Sequence, residues 1–110
     1  MSVFDKLEAA TENRDAAAYS DLLAEDCVFV RHQTGRTMNK AEISTMLRSM
    51  LAPDGTKFGK RRCIYENDDI LVVHTVNDYT DGTREAVLSA YSLKDGKIVR
   101  LETGATPLSK

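Results

Sequence analysis

The 110-residue sequence has no tryptophan, two prolines, two cysteines and two histidines, and its formal net charge is only −2. Each scarcity excludes something. Without a basic excess there is no general footprint for nucleic acid, so none is expected as a partner. The one local basic run, "KFGKRR" with Lys57, Lys60, Arg61 and Arg62, interleaves no aromatic beyond Phe58 and is expected to form a solvated strand face. The apolar runs are far too short to cross a bilayer, so no membrane association is expected. The opening "MSVFDKLEAA" lacks the basic and apolar regions of a signal peptide, which makes a cytoplasmic location the default expectation. In a reducing compartment Cys27 and Cys63 are expected to be free thiols. No Cys/His spacing resembles a metal site, and His32 and His74 lie far apart, so no metal is expected.

What is present suits a single soluble domain over residues 1–110, with 42% hydrophobic and 29% charged residues and length for one core. Ser2 followed by Asp5 has the form of a capping box, and Phe4, Leu7 and Ala10 or Thr11 recur at helical spacing. "ENRD" interrupts that helix, and Asp15 can cap a second, short one bearing Tyr19, Leu22 and Leu23. "DCVFVRHQ" is rich in β-branched residues and predicts a strand, after which "TGRT" turns the chain. Asn39 with Glu42 caps the clearest helix, whose Ile43, Met46, Leu47 and Met50 share one face until "APDG" stops it. Strands are predicted over residues 57–66, 70–79, 83–93 and 97–104. The expected fold class is α+β: three N-terminal helices packed on a strongly curved, mainly antiparallel sheet. Three helices cannot cover both faces, so the outer face is expected to be wet or to pair with a second copy in a homodimer.

The stretch "ILVVHTVNDYTDGT" carries the candidate chemistry. If Asp81-Gly82 is a two-residue turn, counting back places Val76 opposite Val87, His74 opposite Ser89, Val72 opposite Tyr91 and Asp78 opposite Glu85, all on one face. Carried through Asp95-Gly96, the count extends the row to His74, Ser89 and Glu102. A single bulge in the last strand would instead turn Glu102 away and bring Val99, Leu101 and Thr103 inward. His74, mid-strand among aliphatics, is either a satisfied core histidine or a general acid/base in an apolar cavity. Asp78 is either solvated at the hairpin tip or, opposite Glu85, an acid with a raised pKa.

The order of two helices, "LLAEDCVFVR", "GRTMNKAEISTML", a long meander and "LKDGKIVRLETG" resembles the SnoaL-like branch of the nuclear transport factor 2 superfamily, over nearly the whole chain. The resemblance implies a cone with a cavity at its open end, dimerisation through the sheet's outer side, and proton transfer in an apolar pocket without metal or organic cofactor. Ketosteroid isomerase, a relative, is a known case of such pKa tuning. Where that isomerase carries its proton-transfer aspartate this chain has Arg31, so steroid isomerisation is not expected. The resulting expectation is a small-molecule pocket protein, a cofactor-free lyase, isomerase or cyclase, with a non-catalytic binder or structural module as the alternatives. In it His74 and Asp78 are the catalytic candidates; Phe29, Arg31, Ser89, Tyr91 and Glu102 contact a small apolar or acidic organic molecule.

Overall fold

In the computed structural model, which describes residues 2–32 and 34–109, the order is α1 (Val3–Glu12), α2 (Ala16–Ser20), β1 (Leu23–Arg31), β2 (Arg36–Asn39), α3 (Lys40–Met50), β3 (Lys57–Phe58), β4 (Arg62–Glu66), β5 (Ile70–Asp78), β6 (Arg84–Lys94) and β7 (Lys97–Leu108). All three expected caps form. The Ser2 hydroxyl accepts from the Asp5 N–H at 3.0 Å, Asp15 from Ala18 at 3.0 Å, and Asn39 from Glu42 at 2.9 Å. These bonds satisfy donors that the first turn of a helix leaves open.

The "ENRD" interruption also ties the helices together. Arg14, at φ 51°, leaves α1 and sends its guanidinium to the carbonyls of Met50, Leu51, Ala52 and Thr56, at 2.9 to 3.1 Å. The open C-terminal carbonyls of α3 are thereby partly satisfied by a side chain from the α1–α2 junction.

The strands form one sheet in the order β2-β1-β7-β6-β5-β3, with β4 also on β5. Pairing is antiparallel except between β1 and β7, so the sheet is mixed and open-ended. The single strand expected over residues 57–66 is two. Gly59 donates to the Val76 carbonyl at 2.7 Å, and a Cβ there would lie 2.6 Å from the same oxygen. Only glycine permits that approach, and the break it makes redirects residues 59–61. Leu23, Cys27, Ile43, Leu71 and Ile98 are all less than 2% exposed and hold the closed end of the cone; burying each aliphatic among them stabilises the fold by about 1.5–3 kcal/mol.

The two Asp-Gly hairpins behave differently. Lys94 pairs with Lys97 across Asp95 (φ 53°) and Gly96 (φ 76°), a two-residue type I′ turn as expected. The other loop has three residues, 80–82. Only Gly82 has positive φ, at 89°; its N–H donates to the Tyr79 carbonyl, and the Tyr79 N–H to the Thr83 carbonyl. This is a type I turn closed by a glycine bulge. The extra residue shifts β6 by one place: Val73 pairs with Ser89, His74 with Leu88 and Asp78 with Arg84. A one-residue shift exchanges every face of the strand whose register moves.

The expected His74–Ser89 and Asp78–Glu85 pairs are therefore corrected. The concave face carries Leu71, Val73, Thr75 and Asn77 from β5 against Tyr91, Ser89, Val87 and Glu85 from β6. The row with Glu102 is corrected as well, because Leu93 pairs with Ile98 but Ser92 with Arg100. Val99 is the additional residue of a bulge, and beyond it Leu101 and Thr103 turn inward.

Candidate active site

A cavity of about 400 Å³ lies between the concave face and the helices. Its lining changes character along the strands. At the closed end are Val73 and Tyr91; toward the mouth β5 presents Thr75, then Asn77, then Tyr79, with Glu85 across on β6. About 20 Å of strand separates Glu85 from Tyr91, so the two ends are chemically distinct.

The deep end gathers hydroxyls. The Tyr19 and Tyr91 Oη atoms lie 3.4 Å apart, and either can donate. Burial, first of all, raises the Tyr91 pKa, opposed by hydrogen bonds from Tyr19 and Ser89 and by the positive charge of Arg61. Tyr19 is pushed well above the ordinary range, by burial first and then by Tyr91. When Tyr19 donates to Tyr91 Oη, the Tyr91 proton is left for an oxygen in the cavity. Arg61 lines the same cavity, its Nε bonded to Oε1 of Glu8 on α1 and its guanidinium 5.9 Å from the Phe58 ring centroid.

The mouth holds a second polar chain. Thr75 Oγ1 donates to Asn77 Oδ1 at 3.2 Å, and Asn77 Nδ2 reaches Tyr79 Oη at 3.5 Å. The Tyr79 phenol is raised by burial foremost, with the Glu85 carboxylate adding to the rise. Asp81 and Glu85 are the carboxylates lining the cavity among the described residues. No three His, Cys, Asp or Glu side chains among these residues are grouped as metal ligands.

Of the residues expected at the site, Phe29, Arg31, Ser89 and Tyr91 line the cavity, Arg31 at an exposed position with its guanidinium 5.7 Å from the Phe29 ring centroid. His74, Asp78 and Glu102 do not. His74 is on the outer face, paired with Arg62 and Leu88. Asp78 accepts from Arg84 Nε at 2.8 Å and Nη2 at 3.2 Å. Glu102 lies 3.4 Å from Arg100 and 3.7 Å from His32. Sequence reasoning missed Tyr19, taken as an apolar helix residue, and Arg61, taken as solvated. It also missed Tyr79, Asn77 and Glu85 as cavity groups. A signal for the last three was present: the expected register set Asp78 against Glu85, and like charges directly opposite disfavour a pairing.

No functionally curated protein matches the chain. Among solved structures it resembles an NTF2-like protein of unknown function from Mesorhizobium loti (TM-score 0.80, 18% identity, 94% of this chain and 88% of that one). It similarly resembles an NTF2-like protein of unknown function from Burkholderia xenovorans (TM-score 0.79, 16% identity, 98% and 83%). A steroid delta-isomerase from Pseudomonas aeruginosa shares the fold at 15% identity (TM-score 0.73, 96% and 78%). At these identities the likeness is one of architecture. The family signature is more direct, matching residues 4–101, and with the cone and its cavity it places this chain in the SnoaL-like domain family.

Proposed function

We propose that the protein binds a small organic molecule in the cone, with an oxygen of the ligand accepting a hydrogen bond from Tyr91. The observation that carries this reading is the pair of phenols in the cavity: Tyr19 Oη lies 3.4 Å from Tyr91 Oη, and burial keeps the Tyr91 phenol protonated as a donor. Apolar walls from Phe29, Val73 and Leu101 supply the rest of the contact surface. His74 and Asp78 take no part, because their side chains leave the sheet on the other side.

Proton transfer in the cavity, as a lyase, isomerase or cyclase would need, is the second reading. It is favoured by Glu85, a carboxylate lining the cavity whose charge helps raise the Tyr79 phenol. A base must come within about 3 Å of the proton it removes. Glu85 is too far along β6 to act on a carbon beside an oxygen held at Tyr91, so this chemistry requires an extended ligand whose acidic carbon lies toward the mouth.

One experiment addresses both readings. A panel of small carbonyl compounds is titrated into the labelled protein while amide shifts of β5 and β6 are followed in deuterated buffer. Binding weakened about tenfold by Tyr91→Phe supports the first reading; an unchanged affinity sinks it. Deuterium incorporation into the ligand that disappears in Glu85→Gln establishes the second, and no incorporation in any bound compound removes it.

A further inference from the structure

We infer, building on the binding reading above, that the cavity selects ligands bearing a carboxylate and that Arg61 makes the selection. Gly59 lets the chain pass against Val76 and leave the sheet between β3 and β4, and this break brings Arg61 to the cavity wall instead of onto a solvated strand. Its side chain is only 13% exposed. Phe58 flanks the guanidinium, and Glu8 holds Nε alone.

The rest of the fork is unused. Nη1 and Nη2 have no hydrogen-bond partner among the described residues, and no fully buried side-chain nitrogen there lacks one. Both terminal nitrogens are therefore accessible, on a residue that lines the cavity. A guanidinium fixed at one edge and flanked by an aromatic ring is preorganised for a planar, bidentate acceptor. Tyr19 and Tyr91 line the same cavity, and the Arg61 charge acts on both phenols. Arg31, at an exposed position, is solvated and can supply less of this discrimination.

The test compares 2-naphthoate with 2-naphthamide, which have the same skeleton and differ in charge. Expected is an acid bound about tenfold more tightly than the amide, with Arg61→Met erasing the difference while amide affinity stays within about twofold. Glu8→Gln, which removes the competing carboxylate, is expected to raise naphthoate affinity; it serves as the second variant if Arg61→Met fails to fold. Equal binding of acid and amide overturns this inference and leaves the cavity's binding role standing. An acid preference that survives Arg61→Met, or a loss of naphthoate affinity in Glu8→Gln, overturns it too. If neither compound binds, both this inference and the binding reading fall.

Discussion

Asp95-Gly96 and Asp81-Gly82 are the same dipeptide at the tips of adjacent hairpins, yet they close different turns. At the first, both residues take positive φ and the loop has two residues. At the second, Asp81 accepts from the Thr83 N–H at 2.9 Å and the Thr83 hydroxyl at 2.6 Å, and Gly82 alone takes positive φ. A short acceptor with a hydroxyl two residues downstream stabilises the longer loop locally. One residue of loop length then decides which side of β5 faces the cavity. It places Thr75 and Asn77 inside and His74 outside, and it sets Asp78 against Arg84 rather than Glu85.

The largest effect that would break this comparison separates the two faces directly. Leu71 is fully buried on the concave side, whereas Leu88, opposite His74, is 50% exposed. Leu71→Ala is expected to lower unfolding free energy by about 2–5 kcal/mol, and Leu88→Ala by no more than about 0.5 kcal/mol, both read by urea titration. Similar losses at the two sites would mean that Leu71 and Leu88 share a face, as in the register with His74 opposite Ser89.

A smaller effect sharpens the chemistry of the inner face. Tyr19 and Tyr91 have folded pKa values above that of an unfolded tyrosine, about 10. Folding therefore favours the protonated phenols. Their contribution to stability is complete below the unfolded value and is lost as pH rises above it toward the folded values. In an alkaline titration, tyrosinate absorbance from these two residues should appear together with loss of far-UV circular dichroism. Their ionisation in a protein that keeps its fold would show the hydroxyl cluster to be open to water.

The smallest expected effect tests the turn itself. Removing Thr80 leaves Asp81-Gly82 to close between Tyr79 and Thr83, which already face each other. The register is then unchanged, and stability should stay within about 1 kcal/mol of the parent. Cross-strand Hα contacts between His74 and Leu88, a pair that exchanges no backbone hydrogen bonds, check it; their replacement by contacts between Val73 and Ala90 would refute the account of the loop.

Local chemistry was readable from the sequence wherever one stretch carried it whole. Ser2 with Asp5, Asp15, and Asn39 with Glu42 each bring their own acceptor to nearby backbone donors, and all three cap a helix. The Asp95-Gly96 turn needed only its own residues. Cavity groups were readable where they sat on a strand whose orientation did not depend on the disputed turn, as with Phe29 and Arg31 on β1. Ser89 and Tyr91 were paired with the wrong neighbours. His74 looked central because it lay among aliphatics, but intermediate burial on an outer face produces the same pattern.

By itself the sequence determined where helices start, the first strand and the long meander from residue 70 onward, and that this sheet curves around a small helical layer, because caps, periodicity and turn residues act over a few positions. Tertiary structure alone decided which side chains meet in the cavity. Alternation along a strand converts a one-residue difference in a loop, or a glycine pressed against a neighbouring carbonyl, into a reversal of direction. That is how Arg61 came to the cavity wall, and how the histidine left it.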